Sequence, residues 1–510
     1  MRALIVILIL ATPVFILTKK PACNMAMADS DFVRRRNVWF GITLAVFLAH
    51  DYWIYTTIVA VLLLLILPRE KNRSALFFFL LFAAPSIPAE VSGLGVIRYF
   101  FDINYVRLLT LVILLPEFLR IQQRPALGRF GEGKADKFVL GFICVQVGLM
   151  FMASTLTNTL RQGVFYEFMD IILPYYVMSR SQRTLQELKD TLMAFAVAAI
   201  VMGLIATVEF ARHWLLYASL PDALGVSWNF GGYLEREPGD LRAQGSTGQP
   251  IPLGYVMTIA LGFWLYLKKS VAGKKEWMLG AFTLLAGLAA SVSRGPWVGT
   301  VAMVFVFVAL GKKPVQNLVK LGSAGAAIFL VLLVSPAGGK LIDLLPFVGT
   351  VEVENIDYRQ RLLEISIQLI MQNPWFGAYD YIYSPAMQEL KQGQGMIDIV
   401  NTYLAIGLSN GLVGLGLFLG FFFVVVIGVY KSMKLLDDKA EEERLLGRTL
   451  LATLAGILVI IFTVSSITVI PVLYWSVAGL SVAYIRLLHQ EHTETVALAV
   501  NRQPKPLVSG

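Results

Sequence analysis

Histidine, cysteine and charge are all scarce in this chain of 510 residues. Its 4 histidines are His50, His213, His489 and His492. The last two sit in a polar C-terminal tail and none lies in the long loop described below, which argues against a hydrolase triad or a His-ligated metal. Its 2 cysteines, Cys23 and Cys144, stand apart, one in a basic stretch and one in an apolar run, which argues against a disulfide framework or a zinc spacing. Charged residues make up 15% of the chain, against about a quarter in a soluble domain. No glycine-rich phosphate loop, internal repeat or low-complexity tract is found. No metal and no cofactor is expected.

What fills the chain is apolar: 57% of residues are hydrophobic, gathered in blocks such as 54–67, 251–267, 297–311, 318–335 and 411–430. A helix needs roughly 17–25 apolar residues to cross hydrocarbon. Backbone polar groups in lipid must be satisfied within their own element, and these blocks do not alternate as barrel strands do. The expected fold is an all-α polytopic membrane protein of about 12–15 transmembrane helices. In the first segment Lys19 and Lys20 follow the apolar core and outweigh Arg2, so it reads as a retained span with its N-terminus outside. The net charge of +9 is what short cytoplasmic loops collect under the positive-inside rule, and no nucleic-acid partner is implied.

The basic stretches 19–36, 69–73, 120–137, 180–189, 268–275, 312–320 and 431–448 alternate with pairs of spans. The pairs are 75–90 with 104–119, 138–156 with 164–179, 190–211 with 251–267, 276–290 with 297–311, and 318–335 with 411–430. Spans at 449–468 and 470–487 bring the C-terminus inside. Residues 38–67, flanked by arginine-rich segments, read as a short helical hairpin turning near His50-Asp51. The domain organisation follows: 1–335 transmembrane with a shorter external loop at 212–250, a large external loop at 336–405, C-terminal spans at 406–488, and a polar, disordered tail at 489–510. The large loop carries 8 carboxylates against 4 basic residues, no positive excess, as an external face should. Within it 356–372 reads as an amphipathic helix stopped by Asn373-Pro374, with a second helix at 384–391.

Arginines at the external face are the residues best suited to chemistry: Arg242 before a span, Arg294 at a tight turn, Arg359 and Arg361 at the start of the loop helix. A guanidinium stays charged and meets phosphate oxygens in a bidentate fork, so arginines converging on one cavity suit a diphosphate. Blander roles stand beside this one. Arg294 can snorkel to the interface, and Arg359 and Arg361 can be the solvated face of an amphipathic helix. Spacing leaves both open.

Four stretches taken in order resemble the bacterial O-antigen ligase and Wzy-type O-antigen polymerase superfamily. They are Arg242-Ala243-Gln244-Gly245 with Gln249-Pro250, then Ser293-Arg294-Gly295, then Arg361 with Asn373-Pro374-Trp375-Phe376-Gly377, and Asn401-Thr402-Tyr403-Leu404 leading to Gly411 and Gly414. The resemblance covers about 190–430. It implies a GT-C-like, metal-independent inverting glycosyltransferase in the bacterial inner membrane. The active site would face the periplasm, and donor and acceptor would be undecaprenyl diphosphate-linked oligosaccharides. Membrane lipids, a chain-length regulator and a flippase are the partners it implies. In the ligase branch a His-Asn pair precedes Gly-x-x-Gly; here the matching pair is Val400-Asn401, which favours polymerisation. Arg361 to Gly377 keeps the polymerase branch's Arg-x15-Gly spacing.

By that resemblance Arg242, Arg294 and Arg361, with Arg359, would hold the diphosphate and stabilise its developing charge. Asp398, Asp380 and Glu364 are the candidate bases, Asp398 foremost because it is nearest Val400. Gln249, Asn401 and Tyr403 would contact the glycan, although a helix cap and an interface aromatic fit Asn401 and Tyr403 equally. Three rivals stand beside polymerisation: a ligase or protein O-glycosyltransferase, a lipid-linked oligosaccharide flippase, and a cell-wall glycan polymerase.

Overall fold

The computed structural model describes residues 1–95, 98–124, 130–228, 241–268, 273–334, 353–391, 395, 397–437 and 440–501. Parts of both expected loops, 229–240 and 335–352, and the last residues, 502–510, lie outside these. The long elements are α1 (Arg2–Met25), α2 (Asp29–Leu48), α3 (Tyr52–Ile66) and α4 (Arg73–Leu80), then strands β1 (Ala89–Ser92) and β2 (Tyr99–Ile103). There follow α5 (105–122), α6 (Lys134–Ala153), α7 (156–181), α8 (Leu185–Arg212), α9 (Pro250–Leu267), α10 (Lys274–Ala290), α11 (Arg294–Ala309) and α12 (Pro314–Val334). The last are α13 (Val353–Gln372), α14 (Thr402–Lys434), α15 (Glu441–Ile461) and α16 (Ile470–Asn501). The protein is an all-α polytopic membrane protein, with 9 helices among the described residues long and apolar enough to cross a bilayer.

Other expected spans are present as helices that are charged, short or interrupted. α2 starts with Asp29 and Asp31 and carries Arg34–Arg36. α5 and α7 widen into π turns at Thr110–Leu114, Thr159–Tyr166 and Phe168–Ile172. Pro116 and Pro174 follow the first and the third at once; a proline cannot donate to the ladder and crowds the carbonyl four residues back, which favours such widening. The span expected at 75–90 is a correction: only Arg73–Leu80 of it is α-helix. Pro85 and Pro88 stop it, and the chain turns into an antiparallel hairpin pairing Ala89 with Ile103. α16 also runs on to Asn501 where a disordered tail was expected, because Ala, Leu and Glu extend a helix readily.

The hairpin at 38–67 is as expected. His50 takes φ 52° at the turn, and Asp51 caps α3 by accepting from the amides of Trp53 and Ile54, both at 2.9 Å. The basic stretch 19–36, in contrast, is mostly helix. Arg35 is fully buried between Glu70 (2.7 Å) and Asp190 (2.8 Å), and Asn72 donates to Asp190 at 3.0 Å. Its charge therefore ties α2, the α3–α4 connection and α8 together at one end of the bundle.

α8 and α9 form the centre, with 83% and 89% of their most apolar windows buried, while α12 lies wholly at the periphery. Ion pairs and hydrogen bonds sort the helix ends into two groups. The basic end holds the Arg35 cluster, Lys189 with Glu442 (2.6 Å) and Lys312 with Glu441. The opposite end collects the start of α9, the α10–α11 turn, α13, the start of α14 and the 462–469 connection.

Candidate functional site

A buried carboxylate organises the Arg242 loop. Glu209, near the end of α8, is 1% exposed. One oxygen accepts from the amides of Gln244 (3.0 Å) and Gly245 (2.8 Å), the other from Leu216 (3.0 Å). Thr247 adds hydroxyl bonds to the carbonyls of Gln244 and Gln249, and Ser246 bonds the carbonyl of Phe82. The loop so held docks on the α10–α11 turn. Ala243 donates to the carbonyl of Ala290 (3.0 Å), and Arg242 donates to Ser293 Oγ (2.9 Å) and the Ser291 carbonyl (3.4 Å). Arg242 therefore grips the turn that Arg294 follows.

That turn is strained. Val292 has φ 43°, a conformation a β-branched residue adopts only at a cost of about 1–3 kcal/mol. Its effect is to start α11 at Arg294. Neither α9, α11 nor α14 carries an acidic residue in its first turn, whereas α15, which starts at the basic end, has Glu441, Glu442 and Glu443 there. The first three helices thus supply no acid of their own to the positive end of the helix dipole, a setting that favours anions.

Contacts run on from α11 to the loop helix. Gly295 packs against Thr463 and Val464. Thr402 donates from both its amide (3.1 Å) and its hydroxyl (2.9 Å) to the Val464 carbonyl. Ser465 donates to Asp398 at 2.6 Å. The amide of Asp398 donates to Tyr358 Oη (3.1 Å), whose hydroxyl donates back to the Asp398 carbonyl (2.9 Å). Burial raises the Tyr358 phenol above its ordinary range, offset in part by the Asp398 backbone bond, so it stays protonated. Tyr358 lies on α13 beside Arg359 and Arg361, both exposed. One seam therefore links Arg242, Arg294, Asp398 and the base of the Arg359–Arg361 helix.

The remaining candidates fall around it. Glu364 is exposed and accepts from Gln360 on its own helix (3.0 Å). Asp380 sits on the rim of a cleft at the far end of α13. Gln249 is half-buried at the position preceding α9. Asn401 caps α14, accepting from Tyr403 (2.9 Å) and Leu404 (3.2 Å), and the Tyr403 hydroxyl donates to the Leu458 carbonyl (2.9 Å). For these two the cap and packing roles are the ones in view.

The large loop is folded over its described part. Leu362, Met387, Leu390, Ile399 and Leu408 form a core of their own, separate from the main one. The Asn373–Gly377 stretch fastens this unit to the bundle. α14 breaks at Gly411 (φ 64°, ψ −168°), and the segment lies in the break. Leu412 donates to the Pro374 carbonyl (2.7 Å), Val413 to Trp375 (3.1 Å) and Ala378 to Leu408 (2.8 Å). A Cβ on Gly411 would strike the Trp375 carbonyl and one on Gly377 the Leu408 carbonyl, so both positions need glycine. Asn373-Pro374 thus does more than stop a helix.

The family model described as O-antigen ligase matches residues 279–419. This segment is an O-antigen ligase family domain. It bears out the resemblance read from the motifs and supports a glycosyltransferase-like enzyme of the ligase and polymerase kind. No curated protein sequence matches the chain significantly. The domain contains Arg294, α13, Asp398 and the Gly411 break. Arg242 and Glu209 lie outside it and reach it only through the fold. Arg107, passed over in the sequence, is already neutralised by Asp102 (2.7 Å) and Asp170 (2.8 Å). Glu209 was also missed, although a carboxylate inside an apolar run is itself a signal.

Proposed function

We propose that the protein polymerises lipid-linked polysaccharide repeat units at the periplasmic face of the bacterial inner membrane, building O-antigen or exopolysaccharide. The observation that carries this is Arg242 hydrogen-bonded to the turn from which Arg294 opens α11, whose own first turn has no acid, where the chain meets the segment matched by the O-antigen ligase family. Such a site suits the diphosphate of an undecaprenyl-linked donor. Arg359 and Arg361 follow Tyr358 on α13, at the other end of the seam, and are assigned to the same diphosphate.

An acceptor hydroxyl attacks the anomeric carbon from the face opposite the diphosphate. The new C–O bond forms as the bond to the diphosphate breaks, and the electron pair leaves on the phosphate oxygen with inversion at carbon. The arginines stabilise that charge. Asp398 is the base proposed for the hydroxyl proton, since Val400 stands where a histidine would serve the ligase branch. Ser465 fixes its carboxylate.

Purified protein incubated with undecaprenyl diphosphate-linked repeat units should yield a ladder of glycan lengths. The family description favours ligation as the second reading, and a single transferred block would establish it instead.

A further inference from the structure

A cleft of about 210 Å³ opens where the C-terminal end of α13 meets residues 378–384. Gln372, Asn373, Asp380, Tyr381, Tyr383 and Ser384 line it, over a floor that includes Leu408. Tyr383 is 79% exposed, an unusual place for a large aromatic, and Asp380, Gln372 and Asn373 are exposed beside it. The walls are fixed. Gln388 donates to the Ile382 carbonyl (2.6 Å), Ala378 is bonded to Leu408, and Asn158 reaches Tyr379 from α7 (3.4 Å).

A sugar ring has apolar C–H faces and a rim of hydroxyls that donate and accept. Tyrosine rings meet the faces; a carboxylate, two side-chain amides and a serine hydroxyl meet the rim in either hydrogen-bonding sense. The volume is below the roughly 300–1,000 Å³ of drug-sized sites, which suits a single ring. Gln372 lies 11 positions beyond Arg361 on one helix (372 − 361), or about 17 Å at 1.5 Å per residue.

We propose that this cleft is a saccharide subsite, holding one sugar of the glycan about 17 Å along α13 from Arg361. It rests on the glycan-transfer function proposed above. Asp380 then serves recognition and takes no proton in the reaction. The device acts as a spacer: the reducing end is held at the arginines while a more distant ring is gripped, which selects a repeat unit of suitable length.

The full chain in lipid nanodiscs would be titrated with repeat-unit oligosaccharide released from its carrier by mild acid and freed of phosphate. Binding would be read by calorimetry or saturation-transfer NMR. Tyr383→Ala and Asp380→Ala should each weaken binding by at least about fivefold with an unchanged thermal melt. Unchanged affinity in both variants overturns the subsite. So does a wild-type protein that polymerises lipid-linked units yet shows no affinity for the free glycan, a result that leaves the polymerase reading standing. Binding without any transfer of lipid-linked units supports the subsite and sinks the polymerase reading. Loss of both binding and polymerisation sinks the two together.

Discussion

Replacing Glu209 with glutamine should disable the site from a distance. The carboxylate accepts three backbone amides, at 3.0, 2.8 and 3.0 Å, in a fully buried position. Glutamine keeps one accepting oxygen. Its amide nitrogen must face either Leu216 or the Gln244–Gly245 pair, where donor meets donor. Hydrogen bonds to a charged group contribute about 1.5–3 kcal/mol each, so the loop loses at least about 2 kcal/mol of anchoring. Arg242 depends on that loop to reach Ser291 and Ser293. If the loss appears in transition-state stabilisation, kcat/KM for glycan transfer falls about 30-fold or more. The assay is the initial rate of ladder formation, run as a double-mutant cycle with Arg242→Ala. Because both residues act through one loop, the double variant should be little worse than Arg242→Ala alone, with a coupling of about 1 kcal/mol or more. Full activity in Glu209→Gln, or strictly additive losses, would refute the reasoning.

Arg35→Ala leaves Asp190 buried without its cation and Glu70 with Arg34 alone, and should cost about 3 kcal/mol, read as a lower thermal midpoint. Gly411→Ala puts a Cβ into the Trp375 carbonyl and should release the large loop; faster proteolysis within 373–391 would show it, and unchanged cleavage would count against the lock. Asn401→Ala removes a helix cap and should lower stability by about 1 kcal/mol while leaving the KM for donor unchanged; a large rise in KM would restore a sugar-contact role.

Apolar blocks and alternating loop charges suffice to locate most helices, because lipid forces each span to satisfy its own backbone. The turn at His50-Asp51 was legible for the same reason: two charged flanks on one side demand a reversal between them. The loop helix at 356–372 declared itself by period, and the structure extends it to Val353–Gln372. Three features did not show. Arg34–Arg36 looked like a solvated basic loop, since nothing local says that Glu70 and Asp190 lie beside Arg35. The 75–90 stretch is as apolar as a span, and its two prolines outweighed that. The break at Gly411 lies in an unbroken apolar run and exists only because the Asn373–Gly377 segment fills it. At the site the arginines were visible as residue types. The seam that joins their elements was not, because it runs through Glu209, the strained Val292 turn and the 462–469 connection, which are far apart in sequence.

The most direct measurement is inhibition of glycan transfer by undecaprenyl diphosphate lacking sugar, in wild type and in Arg242→Ala and Arg294→Ala. If these arginines hold the diphosphate, each substitution should raise the inhibition constant about 10-fold or more, the loss of a charge-assisted pair. An unchanged inhibition constant in both variants would show that the diphosphate binds elsewhere.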